Sequence, residues 1–353
     1  MSYRGKCVLV TGGLGFIGSN LVIRLVSAGA RVTVVDARVT GCGANPFNLA
    51  PVAGDVCLIE RDIGDAASFA HAIRRADVVF NLAGEISHVH SMQFPERDLR
   101  LNTESQLRFL LACRQEAPGL RVVFATTRQV FGIPEYLPVD ERHPIRPIDF
   151  NGIHKFAATQ YHLLMRRLGE LDAVALRLTN VYGPRMSLAA PCQGFLGNFF
   201  RRALQGRDIE VFGDGLQSRD VIFVDDVVDA FLLAGAEPRL EHESYNVGAR
   251  ESIPLRDIAS SILEAAGGGK VTFRPFPPER KAIDIGSYAT NPSLIEGTLG
   301  WRPVVPLGEG CARTVEYYRT HLRHYWDSDA EPCCQLPDHY DEEYVAVPAR
   351  AGR

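Results

Sequence analysis

A glycine-rich segment near the N-terminus has the spacing that binds a dinucleotide. Residues 11–18 are TGGLGFIG, which contains Gly-x-x-Gly-x-x-Gly from Gly12 and Gly-x-Gly-x-x-Gly from Gly13. Such glycines let the backbone turn tightly beside a pyrophosphate, while the helix that follows points its first N–H groups at the anion. The predicted dinucleotide-binding residues of this segment are Gly12, Gly15, Phe16, Ile17 and Gly18.

An acidic residue follows the glycines at the distance expected for recognition of a ribose. Asp36 ends the next apolar run, about 20 residues after the glycines, where a carboxylate accepts hydrogen bonds from the adenine-side ribose. Its negative charge would repel a 2′-phosphate, so the sequence favours NAD over NADP. Arg38 is also predicted to contact the cofactor, and its positive charge weakens this preference because it could accommodate that phosphate.

A repeating strand and helix pattern positions these residues. Short apolar runs rich in β-branched residues predict buried strands, and stretches with helical spacing predict the helices between them. The predicted strands are 7–10, 32–35, 56–59, 78–82, 122–125 and 174–178, and the predicted helices are 16–28, 65–75, 98–116 and 151–168. Continuous apolar strands that alternate with helices predict an α/β fold with a doubly wound parallel sheet of the Rossmann type.

The chain beyond residue 178 is predicted to form a second, smaller α+β lobe. Helices are expected near 195–205, 226–236, 254–266 and 307–325, with a strand at 245–247. We assign residues 1–178, with about 215–250, to the dinucleotide-binding domain, and 179–214 with 251–325 to the second lobe. Residues 326–353 are acidic and lack periodicity, so we predict a tail.

Composition excludes several classes of protein. The 353 residues carry 38 basic and 42 acidic side chains, a net charge of −4, with no patch suited to nucleic acid or an anionic membrane. No apolar run is long enough to span a bilayer, and the first residues do not form a signal peptide. The 8 cysteines form no Cys-x-x-Cys pair, so we predict no metal site and free thiols in a reducing cytoplasm.

Together with motifs farther along, these residues resemble the extended short-chain dehydrogenase/reductase family of nucleotide-sugar epimerases, dehydratases and decarboxylases. The resemblance covers about residues 5–325 and is specific, because many motifs match in the same order. The matching residues are 11–18, Asp36, Asp62-Ile63, Asn81-Leu82-Ala83-Gly84, Asn102, Thr126-Thr127, Val130-Phe131-Gly132, Lys155, Arg177, 180–185, Gln217, Arg219-Asp220, 224–227, Leu299-Gly300-Trp301 and Pro303.

The resemblance implies further contacts with NAD. Asp62 and Ile63 match positions that contact the adenine, and Lys155 matches the lysine that holds the nicotinamide ribose. The remaining cofactor positions implied in this way are Leu82, Ala83, Gly84 and Asn102. The family also commonly forms homodimers through two helices, which here correspond to 98–116 and 151–168.

The resemblance also implies a nucleotide-diphosphate sugar as substrate. Asn180 and Arg219 match positions near the diphosphate, and Thr127 matches the hydroxyl that bonds the reacting sugar oxygen. The predicted substrate-binding residues are Glu85, His88, Thr127, Arg128, Asn180, Arg185, Arg219, Arg280 and Asp284. For Arg280 and Asp284, a structural salt bridge is an equal alternative, because the segment PERKAIDIG has one residue more between them than the 4-epimerase pattern.

The catalytic residue pair of the family is incomplete in this chain. The family uses Tyr-x-x-x-Lys, but Asn151 stands at the tyrosine position before Lys155. The predicted catalytic residues are therefore Thr127, Asn151 and Lys155. An amide can hydrogen-bond a hydroxyl but cannot accept its proton. Glu85, His88 and His90, in the loop after the fourth strand, are candidates for the missing base, and contact with substrate or solvent is the alternative.

Two positions after the active-site threonine favour one reaction of the family. Dehydratases carry Asp-Glu there and decarboxylases carry Glu at the second position, whereas this chain has Arg128 and Gln129. Epimerisation remains, because it needs only reversible oxidation of the sugar, most simply at C4. The alternatives are another NAD-dependent change to a nucleotide sugar (dehydration, decarboxylation or oxidoreduction) or a binding protein that has lost its chemistry.

Overall fold

The computed structural model describes residues 3–39, 41–188, 194–277, 281 and 284–326. Arg280 and the predicted tail from residue 327 onward lie outside these ranges. Within the described ranges, no helix combines the length and the apolar character needed to cross a bilayer.

A seven-stranded parallel sheet forms the centre of the molecule and confirms the predicted fold class. Its order is β11-β6-β5-β4-β1-β2-β3, and every neighbouring pair is parallel. The strands of this sheet are β1 (Cys7–Thr11), β2 (Arg31–Val35), β3 (Val56–Ile59), β4 (Val78–Asn81), β5 (Arg121–Thr127), β6 (Asp172–Leu178) and β11 (Ser244–Val247). The apolar runs form strands because helices cover both faces; Val10 and Phe80, for example, are fully buried.

Six short strands form three small pairs outside this sheet. They are β7 (Asn180–Tyr182), β8 (Ile209–Phe212), β9 (Ser218–Arg219), β10 (Val221–Phe223), β12 (Ile253–Pro254) and β13 (Val271–Arg274). β7 pairs with β10 and β8 with β13 in parallel, whereas β9 and β12 are antiparallel. The sequence did not predict these strands, because two to four residues are too few to show a period.

Helices flank the sheet and the small strand pairs. They are α1 (Phe16–Ser27), α2 (Ala70–Arg75), α3 (His88–Gln93), α4 (Pro95–Leu99), α5 (Ser105–Glu116), α6 (Phe150–Arg167), α7 (Gly194–Leu204), α8 (Val224–Ala236), α9 (Leu255–Ala266), α10 (Ser293–Leu299) and α11 (Leu307–His321). β11 joins the sheet beside β6, and α8 packs against α1. The segment 224–247 therefore packs with the sheet, although it follows β7.

Three predicted helices are less regular than the periodicity indicated. The helix expected at 98–116 consists of the end of α4, a π-helical turn over Arg100–Glu104 and then α5. The helix expected at 65–75 begins as a 3₁₀ helix over Ile63–Phe69. The last predicted helix ends at His321 and continues only as a 3₁₀ turn. Apolar spacing shows which face is buried, but a change of pitch within a helix leaves that pattern almost intact.

Candidate active site

The carboxyl ends of β1, β2 and β4 open into one pocket. Gly12 has a φ of +68°. A Cβ there would lie 2.8 Å from the carbonyl oxygen of Leu82, so a larger residue would clash with the backbone of Leu82. A Cβ on Gly18 would collide with the carbonyl oxygen of Gly12. The predicted cofactor residues that line this pocket are Gly12, Gly15, Asp36, Asp62, Ile63, Leu82, Ala83 and Gly84.

Asp36, directly after β2, also lines this pocket. Its carboxylate accepts the backbone N–H groups of Leu14 at 3.0 Å and Arg38 at 2.8 Å. Burial raises the pKa of Asp36, and these two donors oppose that rise. Arg38, with a φ of +51°, turns its guanidinium toward Glu60 at 3.2 Å. Its charge is therefore partly neutralised by Glu60.

Asn102 and Lys155 meet beside Gly84 at the inner end of the pocket. A Cβ on Gly84 would lie 2.5 Å from Oδ1 of Asn102 and 2.6 Å from Nζ of Lys155. The Asn102 Oδ1 atom is buried and accepts no hydrogen bond from the described residues, whereas its Nδ2 donates to the carbonyl of Glu85 at 3.1 Å. Phe16 and Ile17, which are also predicted cofactor residues, pack against the apolar core.

Lys155 is a buried cation held beside carboxylates. Burial lowers the pKa of its ammonium, and the nearby charges of Asp98 and Glu85 oppose that effect. Asp98, itself buried, accepts hydrogen bonds from Nδ2 of Asn151 at 2.9 Å and lies 2.7 Å from Nδ1 of His154. The network fixes the position of the first turns of α6.

Asn151 is enclosed by the protein rather than open to a substrate. Only 1% of its surface is exposed. Besides Asp98, its Nδ2 donates to the carbonyl of Glu85 at 3.1 Å, and its backbone N–H donates to Oγ of Ser91 at 3.2 Å. Both amide hydrogens are therefore used internally. Thr127 is half-buried at the end of β5 and accepts the N–H of Gln129 at 3.2 Å, so its own hydroxyl hydrogen remains available.

Glu85 faces protein groups. Its carboxylate accepts the Cys42 thiol at 2.9 Å and the backbone N–H of Ile86 at 3.1 Å, and lies 3.7 Å from Arg97. Burial and the negative charge of Glu85 raise the pKa of the Cys42 thiol well above its usual range. The thiol therefore stays protonated and acts as the donor, so Glu85 is occupied within the loop that follows β4.

His88 lies against a buried carboxylate at the start of α6. Its Nδ1 is 3.0 Å from Oδ2 of Asp149, whose side chain is only 2% exposed. The angle at this contact is not that of an aligned hydrogen bond. Asp149 also accepts the N–H of Gly152 at 2.6 Å as the N-cap of α6. Burial alone would raise the pKa of Asp149, but His88, the Gly152 N–H and the Arg128 charge lower it overall.

A cluster of buried charges surrounds Arg128, the residue after β5. Arg128 stacks on the ring of Tyr288 at 4.6 Å and donates to Oδ1 of Asn180 at 3.4 Å, but its buried Nη1 has no acceptor among the described residues. Asp220 lies near Arg128, and burial raises its pKa to about 6. Arg219 forms a salt bridge with Asp284 at 2.8 Å.

Arg185 lies apart from this cluster. Its guanidinium donates to Oδ1 of Asn20 at 2.9 Å and to the carbonyl of Asn48 at 3.3 Å, and stacks on Tyr317 at 5.2 Å. Its contacts therefore join α1 to α11. Arg280, another arginine predicted to bind the substrate, lies outside the described residues.

Sequence reasoning missed several residues of this site. The pairing of Asp98 with α6 spans 53 residues and has no local signal. Asp149 could have been found, because an aspartate three residues before Gly152 at the start of an amphipathic helix is typical of an N-cap. Within the described residues, no group of three His, Cys, Asp or Glu side chains is placed to hold a metal ion.

The fold and this site define a nucleotide-binding protein of the Rossmann class. A family model described as "NAD dependent epimerase/dehydratase family" matches residues 8–248, and the chain belongs to that family. NAD is its cofactor, and the lining of the pocket fits that molecule.

The similar proteins include curated and solved epimerases. A UDP-glucose 4-epimerase of Mycolicibacterium smegmatis is 34% identical over 88% of this chain and 98% of its own length. The crystal structure of a Thermotoga maritima UDP-glucose 4-epimerase with UDP-glucose has a TM-score of 0.81 at 30% identity, covering 89% of this chain and 99% of that one. A Thermus thermophilus UDP-glucose 4-epimerase complexed with NAD has a TM-score of 0.77 at 32% identity, covering 88% and 98%.

Proposed function

We propose that this protein is a nucleotide-sugar epimerase that oxidises its sugar transiently at C4 and reduces it again from the opposite face. NAD, when bound, supplies the acceptor and the donor of the hydride. One observation carries the proposal: the residues after Thr127 are Arg128, whose guanidinium is stacked on Tyr288, and Gln129. Neither exchanges a proton near neutral pH, so these positions supply no acid to expel water from the sugar.

The partner of the site is a nucleotide-diphosphate sugar. The buried Nη1 of Arg128 has no protein acceptor, and an unpaired buried donor costs free energy unless a ligand oxygen accepts from it. A diphosphate or sugar oxygen would satisfy this donor with a charge-assisted hydrogen bond. Asn180 and Arg219 lie in the same cluster. The solved and curated relatives support UDP-glucose as the first sugar nucleotide to test.

Lys155 and Thr127 support oxidation at the sugar. In this proposal the buried ammonium beside Gly84 holds a ribose hydroxyl and stabilises negative charge on a nearby oxygen. The hydroxyl of Thr127, at the carboxyl end of β5, donates to the oxygen of the reacting sugar. These two residues retain the binding and polarising parts of the reaction, although Asn151 cannot accept a proton.

The second candidate function is a nucleotide-sugar-binding protein with little or no catalysis. The observation that favours it is Asn151, because both of its amide hydrogens are bonded within the protein. Loss of a general base typically reduces a rate by about 10²–10⁴-fold. Such a protein would retain NAD and sugar nucleotide without interconverting sugars.

The assembly is proposed to be a homodimer in the cytoplasm. α6 exposes apolar side chains near both of its ends, and α5, which packs against α6, exposes Leu111. The exposed apolar residues are Phe150, Ile153 and Leu164 in α6 and Leu168 directly after it. A second copy of this surface would cover them. The five cysteines within the described residues are free thiols, which suits a reducing compartment.

The test is incubation of the purified protein and NAD with UDP-, GDP-, CDP- and dTDP-sugars, followed by chromatography and mass spectrometry. Epimerisation gives a new peak of unchanged mass. Dehydration or decarboxylation lowers the mass, and no new peak with NAD retained favours the binding protein.

A further inference from the structure

The loop after β4 and the first turn of α6 bring together a histidine and a buried aspartate that the family motif does not include. Ser87 caps α3, and His88 is its first residue. Asp149 caps α6, two residues before Asn151. α3 packs against α6, so the His88 ring lies beside the helix turn where the family carries its tyrosine.

The two nitrogens of the His88 ring have different surroundings. Nδ1 is buried and lies 3.0 Å from Oδ2 of Asp149. The side chain as a whole is 31% exposed, and no hydrogen bond to Nε2 occurs among the described residues. A carboxylate beside one nitrogen orients an imidazole, while the other nitrogen exchanges a proton with a ligand.

The pair lies at the start of α6, beside the carboxyl end of β5. Arg128 follows β5, whose carboxyl end packs against the start of α6, and it contacts Asn180 and Tyr288. Asn151 projects instead toward Asp98 and the Glu85 carbonyl. Glu85 is engaged by Cys42 and backbone N–H groups, so it is not free to act as the base.

We propose that His88, oriented by Asp149, exchanges the proton of the reacting sugar hydroxyl in place of the missing tyrosine. This inference rests on the proposed epimerase function. In the forward step the O4–H bond breaks and its proton passes to Nε2 of His88, while hydrogen leaves C4 as hydride to NAD and a C4 ketone forms. In the return step the hydride reaches the opposite face of C4, and His88 gives the proton back to O4, so the protein ends unchanged.

Two substitutions and a matched control test this proposal on the NAD-loaded protein. His88→Gln keeps a polar side chain that cannot accept a proton, and Asp149→Asn keeps an N-cap while removing the charge. We expect kcat of His88→Gln to fall about 10²–10⁴-fold, with KM, bound NAD and calorimetric binding of UDP-glucose nearly unchanged. Asp149→Asn should give a smaller loss of kcat. His71→Gln, on the exposed surface of α2, should behave as the wild type.

A spectroscopic measurement separates this role from a structural one. In ¹⁵N-histidine-labelled protein, the Nδ1 resonance that His88→Gln removes should shift in Asp149→Asn, because the charged carboxylate 3.0 Å away is gone. If His88→Gln does not fold, His88→Asn replaces it in both measurements.

The outcomes distinguish the two proposals. A His88→Gln protein with the wild-type kcat, or one that loses activity only through lost binding of UDP-glucose, overturns the role of His88 and leaves the epimerase proposal standing. If His90→Gln lowers kcat and His88→Gln does not, the base is His90 instead. A wild type that converts no sugar nucleotide in the panel overturns the epimerase proposal itself and the role of His88 with it.

Discussion

Asn151 is the residue at which this chain departs from its family, and its contacts suggest why tyrosine does not fit. It is buried and bonded to Asp98 and the Glu85 carbonyl. A tyrosine would be much larger and would deprive the buried Asp98 carboxylate of a donor. The site is therefore built around the amide, and restoring the family residue alone does not restore the family geometry.

We predict that Asn151→Tyr does not raise kcat and lowers the free energy of unfolding by about 1–3 kcal/mol, the usual cost of overpacking a filled site. Initial rates and urea unfolding measure the two effects. Val304→Tyr, at a side chain that is 72% exposed, is the control for an added ring. A Tyr variant at least as stable as the wild type and tenfold faster would show that the family geometry is intact.

At the ribose end of the pocket, Asp36→Ala should cut the amount of NAD that remains with the purified protein, because the ribose loses its acceptor. Liquid chromatography of the nucleotide released on denaturation measures it. Glu251→Ala is the matched control, since it removes an exposed carboxylate that does not line the pocket and should leave NAD content unchanged. Equal NAD content in Asp36→Ala and the wild type would contradict the ribose assignment.

At the scale of elements, α6 serves the site and the proposed interface with different faces. Lys155 and Asn151 face the interior, whereas Ile153 and Leu164 are 47% exposed. The N-cap Asp149 contacts His88, so the same residue that starts the helix also orients the proposed base. The single helix α6 therefore carries the buried cation Lys155, the aspartate that contacts the proposed base His88, and the outer apolar face.

Ile153→Glu combined with Leu164→Glu should convert a dimer to a monomer, because two charges in each copy would be buried without partners. Sedimentation velocity measures the mass in solution. Val304→Glu, on another exposed surface, should leave the dimer intact. A wild type that sediments as a monomer, or a double variant that remains dimeric, would show that α6 is not the interface.

Most strands of the sheet could be predicted because they contain short runs rich in apolar and β-branched residues, and β4 ends within one residue of its expected limit. The segment 98–116 is helical as expected, but the π-helical turn at Arg100–Glu104 near its start was not predicted, because it contains neither glycine nor proline. The cofactor loop could be predicted since its glycines are adjacent in sequence. The contacts of Asp149 with His88 and of Asp98 with Asn151 join distant segments, so no local pattern predicts them.

At the scale of the whole molecule, cofactor binding is linked to folding. A ligand that binds only the native state stabilises it by about 2.7 kcal/mol at a concentration of 100 Kd. We predict that NAD raises Tm of protein stripped of cofactor more than the same concentration of NADP does, because Asp36 repels a 2′-phosphate and Arg38 is paired with Glu60. Scanning calorimetry checks this, and a larger shift with NADP would contradict it.

The measurement that tests the central claim most directly uses UDP-glucose with deuterium at C4 of the sugar. The protein is incubated with this substrate and the product is examined by NMR and mass spectrometry. Transient oxidation at C4 predicts a C4 epimer of unchanged mass that carries the deuterium at C4. A product that has lost the label or carries it at another carbon, or no product from protein that retains NAD, would contradict the proposed reaction.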